Sequence, residues 1–109
     1  MTSDGLEIEP RALEDLRTTG AEVQILDVRE DWELAVCALP GTIDIPMTQI
    51  PGQVDRLSPD TPVVALCHHG QRSLQVVAWL RQNGFADALS LRGGIEAWAT
   101  EIDRSMARY

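Results

Sequence analysis

The stretch that decides the fold is Val63-Val64-Ala65-Leu66-Cys67-His68-His69-Gly70-Gln71-Arg72-Ser73. Its first four residues are apolar without interruption, the pattern of a strand covered on both faces in a parallel sheet. Beyond it, Leu74, Val76, Val77, Ala78, Trp79 and Leu80 predict a helix over 73–82. Asn83-Gly84 stops that helix, and Phe85 is placed for the apolar contact that follows such a cap. Further out, 88–91 reads as another strand, Gly93-Gly94 as a turn and 95–102 as the last helix. Upstream, 5–8 reads as a short first strand, and Pro10 opens a short helix that stops at Gly20. Residues 23–28 form a strand rich in branched side chains, 30–36 one or two helical turns, and 42–45 a short strand closed by Pro46. Between Met47 and Pro62 the pattern is loop with a helix near 52–57. Strand and helix signals alternate throughout, which predicts an α/β fold with a parallel sheet between helices and right-handed crossovers. Ligands of such sheets bind beyond the carboxyl ends of the strands, where Cys67 stands.

A length of 109 residues predicts a single domain over 1–109, and 44% apolar with 24% charged residues is globular composition. Seventeen acids against nine basic residues give a net charge of −8, and all nine basic residues are arginines. Without lysine there can be no Schiff-base lysine, no phosphate-binding lysine and no lysine general base. The acidic balance speaks against nucleic acid or an anionic membrane as the main partner. With no signal-peptide pattern and no apolar run of membrane-spanning length, a cytoplasmic, monomeric protein is expected. Two cysteines, Cys37 and Cys67, are too few for a disulfide framework. Charge is also unevenly spread: residues 1–60 carry 13 acids and four arginines, a net −9, and residues 61–109 four acids and five arginines, a net +1. No acid lies between Asp60 and Asp87, and that stretch holds Cys67, both histidines and Arg72.

A cysteine between a buried strand and a helix start has a specific chemistry. If the chain curls between Cys67 and Arg72, backbone N–H groups converge on the sulfur, and the helix adds its own unpaired N–H groups and positive dipole end. Gly70 permits the curl, because without a Cβ it takes a positive φ. Arg72 brings a full positive charge. Together these favour thiolate over thiol, and a thiolate in an anion cradle can attack electrophilic sulfur or phosphorus. The plainer reading of Cys67 is a small buried hydrophobe. Cys37, between Val36 and Ala38, reads as structural.

Adjacent His68 and His69 lack the spacing of zinc ligands and no third histidine exists, so neither a metal nor a cofactor is expected. One histidine is expected to face solvent beside the sulfur and the other to bond structurally. Asp27 and Arg29 flank Val28 at the carboxyl end of the second strand, on the same sheet edge as Cys67, and share a side of that strand. They read either as an anchor beneath the rim of the site or as an exposed ion pair. Trp32, Trp79 and Trp98 read as packing residues.

Four segments in order make the chain recognisable: Leu26-Asp27-Val28-Arg29-Glu30, the L-P-G-T-I-D-I-P run at 39–46, Cys67 to Ser73, and the L-R-G-G-I-E-A-W run at 91–98. The chain resembles the single-domain rhodanese family of sulfurtransferases. That resemblance implies a three-layer α/β/α fold with a five-stranded parallel sheet. It also implies a Cys67 that alternates between thiolate and persulfide. His68, His69, Gly70, Gln71, Arg72 and Ser73 would then wrap the persulfide, with Asp27 and Arg29 supporting the rim. Cys37-Ala38 stand where the family often has glycine-histidine, a departure expected to change local packing rather than activity.

The expected reaction moves sulfane sulfur from a small donor anion such as thiosulfate to cyanide or a cellular or protein thiol. Two alternatives remain from other classes. One is a non-catalytic interaction or sulfur-relay module. The other is a cysteine phosphatase or arsenate reductase. Four residues separate Cys67 from Arg72, whereas the phosphatase relatives carry C-x5-R, whose larger loop fits an oxyanion.

Overall fold

The computed structural model describes residues 5–109. Five parallel strands, β1 (Glu7–Ile8), β2 (Gln24–Asp27), β3 (Ile43–Asp44), β4 (Val63–Leu66) and β5 (Ala88–Leu91), form one sheet in the order β1-β5-β4-β2-β3. The helices are α1 (Pro10–Thr18), α2 (Asp31–Val36), α3 (Ile50–Gln53), α4 (Gln71–Gln82) and α5 (Gly94–Glu101). β4 lies at the centre of the sheet and every one of its residues is buried, as an unbroken apolar run requires.

Side-chain alternation along the strands divides the core in two. Leu26, Val28, Val63, Ala65 and Cys67 join Val76, Val77 and Leu80 of α4, while Ile25, Val64 and Leu66 join Leu13 of α1 and Ile95 and Trp98 of α5. Each such aliphatic side chain contributes about 1.5–3 kcal/mol by leaving water. Cys67 continues the period of β4 and so faces α4.

Three sequence expectations change. Residues 47–56 are not loop before a helix but three linked turns, 3-10 at Met47–Gln49 and Val54–Arg56 around α3. Pro51 at a first-turn position initiates α3, and Ile50 and Leu57 bury against the α4 face of the sheet. The helix after Cys67 begins at Gln71, so Arg72 belongs to its first turn rather than to the loop. Trp32 is not a core residue: it is 63% exposed on α2 and packs edge-to-face with the Tyr109 ring at 5.6 Å between centroids. Trp98 is buried and Trp79 half-buried against the core. At the end of α4 the Phe85 N–H donates to the Leu80 carbonyl at 3.0 Å and the ring is buried, as the cap residues predicted. Among the described residues no helix is long and apolar enough to cross a membrane.

Candidate active site around Cys67

Cys67 stands one residue past the end of β4, where strand hydrogen bonding gives out and the chain must turn. The turn is closed by Gly70, at φ +106°, from which α4 departs. The curl aims donors at the sulfur: the Gly70 N–H lies 3.1 Å and the Ser73 N–H 3.4 Å from Cys67 Sγ, and the Ser73 hydroxyl is also at 3.4 Å. Among the described residues, the N–H groups of His69, Gln71 and Arg72 have no protein acceptor. They stand beside a cavity of about 160 Å³ lined by Cys67, His68, His69, Gln71 and Arg72.

The loop is held from behind by α5. The Ile95 N–H donates to the Cys67 carbonyl at 2.8 Å and the Glu96 N–H to the His68 carbonyl at 3.1 Å. This explains Gly94, at φ +63°: a Cβ there would meet those two carbonyl oxygens at 2.4 and 2.5 Å. The glycine pair of the 91–98 segment therefore serves the cysteine loop by letting a helix terminus press against it.

Ser90 is a site residue that the sequence reading missed. It is wholly buried, and its Oγ lies 2.7 Å from Ser73 Oγ. When Cys67 is a thiolate, the Ser73 hydroxyl can donate to sulfur while Ser90 donates to Ser73, a relay that needs no other proton. The one polar residue in the Ala88–Leu91 strand was the available signal.

Asp27 and Arg29 do share one side of the strand end, and both side chains are fully buried. Arg29 donates to Asp27 through Nε at 2.9 Å and Nη2 at 2.8 Å, and the Arg29 N–H donates to the same carboxylate at 3.1 Å. The remaining guanidinium donors reach the Cys37 carbonyl at 2.8 Å and the Tyr109 hydroxyl at 3.1 Å. An exposed ion pair is thereby ruled out; the pair ties β2 to the segment after α2. Burial pulls the Arg29 guanidinium toward neutrality, but its bonds to Asp27 and Tyr109 outweigh that and keep it charged. Cys37 is half-buried, with Sγ 3.9 Å from Arg29 Nη1.

Arg72 reaches the rim already paired. Its Nη1 and Nη2 donate to Oε2 and Oε1 of Glu33, each at 2.8 Å, in the two-pronged geometry that suits guanidinium and carboxylate. Glu33 also accepts from the Glu30 N–H at 2.8 Å and from the Tyr109 hydroxyl at 2.8 Å. The Arg72 bonds, aided by those two donors, hold the Glu33 carboxyl near a pKa of about 2 against the opposing effect of burial. Glu33 was not singled out from sequence. Its signal was the Glu30-x-x-Glu33 spacing at a helix start, where the second acid reaches back to the first residue's N–H.

His69 is exposed and His68 half-buried, which answers which histidine faces solvent. The His68 ring stacks on His69 at 4.0 Å and on Tyr109 at 3.8 Å between centroids. Among the described residues its buried Nε2 has no hydrogen-bond partner. Burial first, and the neighbouring His69 second, push the His68 pKa down, so a histidinium is disfavoured there. The positive side of the cavity is thus made of backbone N–H groups, a helix terminus and an arginine shared with a carboxylate. Among the described residues, no group of three potential ligands could hold a metal ion.

Comparison with known proteins identifies the family and the fold. The model of the rhodanese-like domain matches residues 9–101. A sulfurtransferase of Allochromatium vinosum is 37% identical over 93 residues, covering 85% of this chain and 87% of that protein. The thiosulfate sulfurtransferase GlpE of Pseudomonas aeruginosa is 34% identical over 91 residues, covering 84% and 81%. Two further relatives are longer, and the chain spans 31% and 27% of their length. Among solved structures, a rhodanese-like domain protein from Staphylococcus aureus superimposes with a TM-score of 0.82 at 32% identity, covering 94% of this chain and 97% of that one. The family match over residues 9–101 takes in the strands β2 to β5, the cysteine loop and the helix behind it, and this chain belongs to the rhodanese-like sulfurtransferase family.

Proposed function

We propose that the protein carries sulfane sulfur from a small donor anion, thiosulfate being the simplest, to a thiophilic acceptor through a persulfide on Cys67. The observation that carries this is the convergence of the Gly70 and Ser73 N–H groups and the Ser73 hydroxyl on Cys67 Sγ, beside a cavity with further N–H donors to spare. In the first half-reaction the Cys67 thiolate attacks the outer sulfur of thiosulfate. The sulfur–sulfur bond of the donor breaks, and sulfite leaves with its electron pair. A Cys67–S–S⁻ anion remains, with the loop N–H groups of residues 69–73 around the added sulfur. In the second, cyanide or a thiolate attacks that outer sulfur and the electron pair returns to Cys67. No external oxidant or reductant is needed.

Gly70 supplies the turn, while Gln71 and Arg72 with His68 and His69 form the wall. Asp27 and Arg29 hold the strand end beneath it. Only four residues separate Cys67 from Arg72, a tighter loop than the C-x5-R of the phosphatase relatives, which supports sulfur transfer over phosphatase chemistry. Two relatives matched over most of their own length are named sulfurtransferases, one of them for thiosulfate, which supports that donor.

Mass spectrometry of reduced protein treated with thiosulfate tests the reading. It should show about +32 Da, one sulfur, on the Cys67 peptide, discharged by cyanide as thiocyanate and absent from Cys67→Ser. Folded wild-type protein that never acquires the adduct would refute the persulfide. Loading only from a partner's persulfide, with none from thiosulfate, would identify a relay module instead.

A further inference from the structure

Tyr109 lies beyond residues 9–101, the span that matches the family, yet its side chain comes back to the rim of the site. The phenol oxygen accepts from Arg29 Nη1 at 3.1 Å and donates to Glu33 Oε1 at 2.8 Å. That same Glu33 oxygen accepts from Arg72 Nη2 at 2.8 Å. The ring lies nearly parallel to His68, 14° between planes, and packs edge-to-face with Trp32, 75° between planes. One residue therefore touches the buried ion pair, the rim ion pair and a wall of the Cys67 cavity.

We propose that Tyr109 is a positioning residue that sets how strongly the site attracts its anionic sulfur donor, acting through Glu33 on Arg72 and through ring stacking on His68. This rests on the sulfur-transfer reading above. Glu33 and Arg72 are of opposite charge at the mouth of one small cavity, so the field an anion meets depends on how far Glu33 is compensated by other donors. The Tyr109 hydroxyl is one such donor, and Arg29 polarises it from the far side. Remove the hydroxyl and part of the Glu33 charge is left uncompensated beside Arg72, which weakens the pull on an anion. Remove the ring as well and His68 loses the surface that holds it against the cavity.

Two variants separate these contributions. Tyr109→Phe keeps the stack and deletes the hydroxyl; Tyr109→Ala deletes both. For Tyr109→Phe the KM for thiosulfate should rise about three- to tenfold while kcat stays within about twofold, the loss expected from one charge-assisted hydrogen bond. A larger rise is expected for Tyr109→Ala. A second measurement does not depend on sulfur transfer: the rates at which anionic iodoacetate and neutral iodoacetamide alkylate Cys67, read on the Cys67 peptide. The iodoacetate-to-iodoacetamide ratio should fall in Tyr109→Phe and fall further in Tyr109→Ala, a discrimination by charge that a merely structural role would not produce. Equal KM values and equal ratios in wild type and both variants would overturn the assignment. If wild-type protein never loads from thiosulfate, the sulfur-transfer reading fails separately, and the alkylation ratio still decides the role of Tyr109.

Discussion

Two arginine–carboxylate pairs meet at the Tyr109 hydroxyl and do different work. Asp27–Arg29 is sealed, with both side chains at 0% exposure. Glu33–Arg72 is one-sided: the carboxylate is 4% exposed and the guanidinium 34%. In the first pair the guanidinium donors are taken by Asp27, the Cys37 carbonyl and the Tyr109 hydroxyl, and no face is left for a ligand. In the second, the carboxylate is immobilised by three sources of donors and the arginine keeps a solvent side that lines the Cys67 cavity. The same two functional groups act as an internal tie in one place and as a tethered cation in the other. Access of water, not pairing chemistry, makes the difference.

The largest effect should come from breaking the sealed pair. Arg29→Ala leaves the Asp27 charge buried without a partner, a loss of about 3–5 kcal/mol. Urea denaturation reads it, and a loss below about 1 kcal/mol would mean that water reaches Asp27 after all.

Next comes acid titration of the rim pair. The Glu33 carboxyl, near a pKa of about 2 in the fold, lies below the ordinary carboxylate value. Its stabilisation is therefore complete above the unfolded-state pKa and disappears as pH falls through the folded value. The window runs from about pH 4.5 down to pH 2 and is worth at most about 3 kcal/mol. Glu33→Gln should flatten this part of the stability–pH curve. A curve as steep as that of wild type would place the acid sensitivity elsewhere.

A smaller loss of stability than for Arg29→Ala, about 1–3 kcal/mol, belongs to Arg72→Ala, because Glu33 loses its main partner but keeps Tyr109 and the Glu30 N–H as donors. Sulfur loading of Cys67 should nevertheless slow about tenfold, since the cation at the cavity is gone. Stopped loading at fixed thiosulfate concentrations measures it. An Arg72→Ala protein that loses several kcal/mol but loads normally would reverse the roles assigned to the two pairs.

Much of the site could be read along the chain because its parts are local. Cys67, Gly70 and Ser73 fall within one strand-to-helix turn, so the residue order alone brings their backbone N–H groups toward the sulfur. Asp27 ends β2 and Arg29 lies two residues on, so continued side-chain alternation places them together. Burial of that pair was not legible, since a charged residue at a strand end is equally compatible with solvent. Trp32 failed for a related reason. Helical spacing identifies a face, but nothing in six residues of α2 says which neighbour will cover it.

The amino-acid sequence by itself determined the parallel α/β architecture, the position of Cys67 at a strand end and the donors that its own loop provides. Those follow from hydrophobic periodicity, glycine conformation and the directionality of helix termini, all short-range properties. Only the tertiary structure decided what surrounds that loop. It set Ser90 behind Ser73 across 17 residues, Glu33 against Arg72 across 39, and Tyr109 against Glu33 across 76. It also placed the N-terminus of α5 against the Cys67 and His68 carbonyls, which is what Gly94 makes possible. Such contacts depend on strand order and on how helices seat upon the sheet, and neither quantity is written in the local pattern of any one segment.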